Sequence, residues 1–427
     1  MNKYQITKLT LEWSSNFDGN FPGNGASAES VLEGLQPSTK LRCLGLHHYG
    51  GSSFPNWMMK EFQHYDMLVH IQLYGCKNCT FLPAFGNLPS LKYLYMHGMK
   101  EVEYMGKEFY GCRDNNNNYK GFQMLELLCI QKMKSLRGWW GAEEGEFPCL
   151  KELSIGCCPN LVKLPHLLPS VEEVDIRACS VLTYLPMLPS TSRLSLENCD
   201  GRILSCMHNC PSLSKLEIRN FPNTTFLPPA ILQPLAKTLE TLKIWCFQSL
   251  LALPKGLQDL AILQNLEIYN CNMLQSLPDL QALASLRRLE IRGCESLAYL
   301  PKGLNKLTSF QELIIEWTNK MTPVLEEGVG LQDLASLPKL KIYKSSLSSF
   351  LPKGLNKLTS LQELTIYWSK NTKSISEEKL PSSLHSLTIW KCPEEIKSRL
   401  QEGGEDWPKI AHIPTIQLYS MQHSSSR

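Results

Sequence analysis

The side chains of this sequence best suited to chemistry are its sixteen cysteines and ten histidines. Cys76-x-x-Cys79 is one candidate zinc half-site, and Cys206-x-x-x-Cys210, with His208 between its cysteines, is another. A structural zinc ion takes four such ligands, and neither pair has a second pair at a matching distance. His47, His48, His70 and His97 can fall on one patch of surface, where they would serve a metal or, on the preferred reading, an interface. The signatures of catalysis are missing: no GxxxxGK[ST] phosphate loop, no HExxH, no GxSxG and no kinase signature set. The expectation is a protein that is not an enzyme, with no catalytic residues, no cofactor and no metal. Asn78 and Asn223 head glycosylation triplets, which carry meaning only on a secretory route.

What must position these side chains is a repeat. From Leu286 to Pro301 the chain reads LRRLEIRGCESLAYLP, the pattern LxxLxLxxCxxLxxLP. This is a leucine-rich repeat with cysteine where many such repeats carry asparagine. Leu289 and Ile291 alternate as a short strand with one buried face, Cys294 turns inward, and Leu300-Pro301 is an extended segment that cannot join a helix interior. Copies have their second strand position at Leu46, Leu73, Met96, Ile130, Ile155, Ile176, Leu196, Ile218, Ile244, Ile268, Ile291, Ile315, Ile342, Ile366 and Ile389. Their steps run from 20 to 27 residues, except for one of 34 between Met96 and Ile130 that holds the insertion GKEFYGCRDNNNNYKG. A weaker copy precedes them at Leu9 and Leu11. One unit cannot bury its own apolar face, but a stack of units can. The expected fold is an α/β repeat solenoid: a leucine-rich-repeat horseshoe with a parallel β-sheet on the concave face and a mostly irregular or short-helical convex side.

Residues 1–40 are expected to hold the weak repeat, a polar stretch from Ser14 to Ser30 and the helical-looking VLEGLQP. Residues 41–392 form an array of about fifteen repeats, and 393–427 a C-terminal cap with a disordered tail from Gln422. Asn115 to Asn118 read as a flexible loop tip. LPKGLNKLTSFQELIIEW at 300–317 recurs as LPKGLNKLTSLQELTIYW at 351–368, with three differences and an offset of 51 residues, the length of two repeats. Cys76, Cys158, Cys179, Cys199, Cys271, Cys294 and Cys392 share one position of the repeat with Met99, Met133, Phe221 and Phe247. A position open to Cys, Met and Phe is a packing slot, not a disulfide or a metal position. The net charge of +3, without a run of Lys or Arg, lends a nucleic-acid partner no support. No signal-peptide core and no apolar stretch of the ~18 residues of a membrane span is visible, so the chain reads as cytoplasmic or nuclear.

Strands stacked side by side turn equivalent positions into columns. The column after the second strand position reads His47, Tyr74, His97, Gln131, Gly156, Arg177, Glu197, Arg219, Trp245, Tyr269, Arg292, Glu316, Tyr343, Tyr367 and Trp390, with Trp317 and Trp368 beside it. A row of Trp, Tyr, His and Arg on an outward face has the make-up of a protein-binding surface. Equally, β-rich surfaces favour aromatics that pack flat on their neighbours. Two columns further in, the signs mix: Glu152, Glu173, Arg193, Lys215, Arg288, Glu312, Lys339 and Glu363. The candidate partner-binding residues are His47, Tyr74, His97, Arg219, Trp245, Tyr269, Arg292, Trp317, Tyr343, Tyr367, Trp368 and Trp390.

Several passages go beyond a generic repeat. LRCLGLHHYGGSSFPNWM (41–58), LVHIQLYGCKNCTFLPAFGNLPSLKYLYMHGM (68–99), VEYMGKEFYG (102–111) and GEDWPKIAHIP (404–414) resemble the repeat region of plant intracellular disease-resistance proteins of the coiled-coil, nucleotide-binding, leucine-rich-repeat type. LTLEWS with VLEGLQPSTKL resembles the passage that precedes those repeats. The resemblance implies a recognition module of plant innate immunity, whose repeats bind a pathogen effector or host protein and restrain a nucleotide-binding switch domain. That domain and its phosphate loop have no counterpart in this sequence, so nucleotide binding is not carried over. The alternative is an intracellular substrate adaptor for ubiquitination or another scaffold, which would need a ligase-docking helix that the first forty residues do not convincingly offer.

Overall fold

A computed structural model of the chain describes residues 6–14, 27–111, 120–143, 145–228, 231–318, 320–321, 330–344, 352–368, 375 and 379–420. The expected loop tip at Asn115–Asn118, the tail from Gln422, Leu351 of the repeated block and most of the polar stretch 14–30 lie outside the described residues. The chain forms two units, residues 1–213 and 214–427.

In unit 1 the elements are β1 (Lys8–Glu12), α1 (Ala28–Gly34), β2 (Cys43–His47), α2 (Asn56–Met59), β3 (His70–Tyr74), β4 (Tyr93–His97), β5 (Tyr104–Met105), α3 (Lys107–Tyr110), β6 (Leu127–Gln131), β7 (Gly138–Trp139), β8 (Glu152–Gly156), β9 (Glu173–Arg177) and β10 (Arg193–Glu197). Eight of the strands pair in parallel, in the order β1-β2-β3-β4-β6-β8-β9-β10. The short strands β5 and β7 form a separate parallel pair. In unit 2, β11 (Lys215–Arg219), β12 (Thr241–Trp245), β13 (Asn265–Tyr269), β14 (Arg288–Arg292), β15 (Glu312–Trp317), β16 (Lys339–Lys344), β17 (Glu363–Tyr367), β18 (Ser386–Cys392) and β19 (Thr415–Ser420) form a nine-stranded parallel ladder. The helix α4 (Glu394–Arg399) lies between β18 and β19 in the chain. The fold is a leucine-rich-repeat solenoid whose connections are short helices, 3-10 turns and irregular segments.

All fifteen expected strands are present, and the weak repeat at Leu9 and Leu11 is β1. The 393–427 segment supplies one strand more than the repeat count from sequence, since β19 continues the ladder. The alternation dictates the geometry. In β13, Leu266 and Ile268 are fully buried while Asn265, Glu267 and Tyr269 face outward, and each buried aliphatic of this kind contributes about 1.5–3 kcal/mol. The shared Cys/Met/Phe slot is buried throughout, and Phe221 stacks on Phe247 with ring centroids 5.4 Å apart. The described cysteines are free thiols. In that slot the thiol also donates to the chain's own backbone, as in Cys158 to Gly156 O (3.4 Å), Cys179 to Arg177 O (3.4 Å) and Cys294 to Arg292 O (3.5 Å).

One repeat position is set by backbone geometry. The residue directly after the outward column takes a left-handed conformation, φ between 50° and 73°, at His48, Gly75, Gly98, Lys132, Cys157, Ala178, Asn198, Asn220, Cys246, Asn270, Gly293 and Lys391. Its N–H then donates to the strand-end carbonyl of the next coil, as in Gly75 to His97 O (2.7 Å) and Asn270 to Arg292 O (2.8 Å). Gly75→Ala is expected to destabilise the protein by about 1–2 kcal/mol, read as a lowered melting temperature. The new Cβ would stand 2.6 Å from His48 Nδ1 in a conformation that L-residues resist.

Candidate functional site

The outward face of unit 1 gathers three of the expected histidines. His47, Tyr74 and His97 are register neighbours on β2, β3 and β4. The Tyr74 and His97 rings stack at 4.3 Å with 6° between planes, His47 tilts against Tyr74 at 5.9 Å, and His48 meets it edge-on at 5.3 Å. His70 belongs elsewhere: it stacks on Tyr95 at 5.3 Å. Among the described residues, His47 Nε2 and His97 Nδ1 are buried atoms without a hydrogen bond, and no group of three or more His, Cys, Asp or Glu is placed to hold a metal ion.

Burial, and then the nearby Lys132, hold the His97 imidazole below its ordinary value, and burial and Lys8 do the same for His70. A histidine that resists protonation when folded, but not when unfolded, withdraws stability as pH falls through the unfolded value near 6.5, and goes on doing so down to the lower folded value. Unit 1 is therefore expected to lose stability from neutrality to mildly acidic pH. A His70→Gln/His97→Gln variant should show a shallower loss in denaturant titrations across that window.

The cysteine pairs do other work. Cys76 donates to Leu46 O (3.7 Å) and Cys79 to Gly51 O (3.3 Å), and burial pushes the Cys76 thiol up to about 12. Cys206 donates to Thr183 O (3.8 Å), Cys210 is buried and raised to about 12 by that burial, and His208 between them is exposed. Zinc takes thiolates, and burial disfavours that form of Cys76, Cys79 and Cys210.

Unit 2 carries the longer row. The Arg219 guanidinium lies 4.0 Å from the Trp245 ring centroid, with Lys243 Nζ at 5.3 Å from the same ring. Trp245 and Tyr269 are 6.1 Å apart, and Arg292 lies 5.2 Å from Tyr269. Arg292 also lies 3.7 Å over Tyr343, two strands away. The intervening Glu316 leaves that path open because its carboxylate bends back to accept from Gly293 N (2.8 Å). Tyr343 then stacks on Tyr367 (4.0 Å), Tyr367 on Trp390 (6.2 Å) and Trp390 on Tyr419 (4.1 Å), all within 11° of parallel. Burial, followed by the Tyr367 hydroxyl, raises the Tyr343 phenol to about 12. The aromatics do pack on one another, and they stay half-buried or exposed while doing so.

Two residues change the sequence-based set. Trp368 is 3% exposed and does not belong to the face. Its backbone N–H donates to Trp390 O (2.9 Å), which places it in the turn position after the column, where the chain leaves the strand and the indole folds inward. Trp317 holds the equivalent position but stays half-buried, because β15 runs one residue longer and pairs Trp317 with Lys344. Tyr419 joins the row unannounced, although IQLY at 416–419 repeats the IQLY of 71–74 letter for letter. Several of the mixed charges form ion pairs, within their column or with the one beside it: Arg193 with Glu173, Arg288 with Glu290 (2.6 Å) and Glu312 (3.6 Å), Lys341 with Glu312 (2.8 Å) and Lys339 with Glu363 (2.9 Å), and Lys243 pairs with Glu267 (3.2 Å).

The parallel ladders and the repeated inward slot define the class: this is a leucine-rich-repeat protein. Residues 1–99 and 230–294 match the family described as R13L1/DRL21 LRRs. The chain is 29% identical to disease resistance RPP13-like protein 1 of Arabidopsis thaliana, over 66% of this chain and 26% of that protein. It is 30% identical to disease resistance protein RGA1 of Solanum bulbocastanum, over 60% of this chain and 22% of that one, and 31% identical to RGA4 of the same species, over 53% and 20%. Its repeats are thus of the kind that plant disease-resistance proteins carry. The chain spans about a quarter of the length of these relatives. Among the described residues no helix is long and apolar enough to cross a membrane.

Proposed function

We propose that this chain is a protein-recognition module of plant immunity whose outward sheet faces bind a pathogen effector or a host protein. The observation that carries this reading is the unit 2 row from Arg219 to Trp390, in which guanidinium and aromatic groups hold one another in place before any partner arrives. Preorganised Trp, Tyr and Arg lose little freedom on binding, which is what makes them binding hot spots. Within a longer receptor the same repeats would restrain a nucleotide-switch domain, and the module would act in the cytoplasm or nucleus.

Capture of partners by proximity labelling in plant tissue, followed by binding measurements with Trp245→Ala, Tyr269→Ala, Tyr343→Ala and Trp390→Ala, tests the reading. Each is expected to weaken the partner while the circular-dichroism melt stays cooperative. Partners that bind all four variants as well as the parent would sink it.

A further inference from the structure

Among the described residues, β19 is paired on one side only, with β18. Thr415 N donates to His385 O (3.1 Å), so Thr415 and, by alternation, Gln417 turn their backbone groups toward β18. The N–H and C=O of Ile416 and Leu418 therefore point to the open side. The side chains tell the same story. Ile416 and Leu418 are only half-buried, whereas their register partners Leu387 and Ile389 are fully buried. Sheets commonly guard such an edge with a lysine, a proline or a bulge. The strand TIQLYS holds neither lysine nor proline, and its register against β18 is regular from Thr415 to Leu418.

The same strand is complementary to itself. Laid antiparallel on a second copy with Gln417 opposite Gln417, it sets Ile416 opposite Leu418 on the inward face and Thr415 opposite Tyr419 on the outward face. Ile416 and Leu418 are also the residues whose backbone groups face the edge, so each such pair can exchange both of its N–H···O bonds. A slip of one residue would set Ile416 against Gln417 and lose the match on both faces. β19 brings no charge of its own to the pairing. The Ser420 hydroxyl is held by Glu394 (2.6 Å) and Lys397 (3.2 Å), an oppositely charged pair 3.7 Å apart.

We infer that β19 is the docking edge for a second copy of this chain. The two strands pair antiparallel about a twofold axis through Gln417 and join two unit 2 ladders into one sheet. That axis stands perpendicular to the sheet, so the outward rows of both copies share one face.

The test is sedimentation equilibrium of the whole chain over a range of concentrations, for the parent, Gln417→Lys, Gln417→Glu and an equimolar mixture of the two variants. Gln417 is exposed in the single chain, so neither substitution touches the core, and thermal melts check the fold. The parent is expected to approach twice its 48.5 kDa. Each variant alone should dimerise at least about tenfold more weakly, because like charges meet on the axis, and the mixture should recover the parent's affinity, because opposite charges meet there. Hydrogen exchange of the peptide spanning 415–420 should slow as the parent is concentrated. A parent that stays monomeric overturns the inference: fast exchange would then leave the edge open, and protection at every dilution would assign it to residues 421–427. A dimer that both variants leave intact places the interface elsewhere and overturns it as well.

Discussion

Replacing Trp139 by alanine is expected to cost about 3–5 kcal/mol and to lower the melting temperature by on the order of 10 °C, the largest stability loss foreseen for a single side chain here. Trp139 is fully buried on β7, and its indole N–H donates to the Tyr110 hydroxyl at 2.7 Å. Around it the long repeat packs Phe109 (6.5 Å) and Phe147 (5.8 Å), with Phe122 stacked on Phe147 at 4.8 Å. Truncation removes a large apolar volume from close-packed rings that cannot all collapse inward, and it deletes the indole N–H that donates to the Tyr110 hydroxyl. The adjacent Trp140 is the control. It is 45% exposed and touches only the Tyr104 ring, at 4.9 Å, among the described aromatics, so Trp140→Ala should move the melt far less. Equal losses from the two substitutions would show that the cluster is not what holds this repeat.

Arg292→Ala is expected to weaken a partner captured on the unit 2 face by about thirtyfold, an energy near 2 kcal/mol, with little change in thermal stability. The guanidinium is placed between Tyr269 and Tyr343 and lies 3.7 Å from Glu290, so one substitution removes the link between the two halves of the row. Its ion pair is at the surface and contributes little by itself, whereas its two cation–π contacts fix where the rings stand. A double-mutant cycle with Tyr343→Phe, which keeps the ring, should show near additivity, and one with Tyr343→Ala should not. Additivity in both would mean that Arg292 acts alone.

The fifteen registers, the inward slot and the outward column were legible from the sequence because period-2 strands and a repeated step leave few alternatives for where each side chain points. Leu289 and Ile291 had to be buried if their neighbours were to stack. The resemblance reached the kind of repeat as well, since passages such as LRCLGLHHYGGSSFPNWM at 41–58 are similar to plant disease-resistance repeats. Trp368 and Tyr419 show the limit. Both lie near a strand's end, where one residue more or less of pairing decides between the outward column and the turn behind it.

By itself, then, the sequence determined a leucine-rich-repeat solenoid, its repeat boundaries and a face lined with Trp, Tyr, His and Arg. Only the tertiary structure decided that Trp139 is core and Trp140 surface, that Trp368 is buried, that Arg292 passes over Glu316 to reach Tyr343, and that Tyr419 extends the row. Each of these depends on a neighbour that lies 20 or more residues away in the chain but one or two strands away in space. Local pattern names the face a residue shares; which neighbour it meets there is set by how adjacent coils pair.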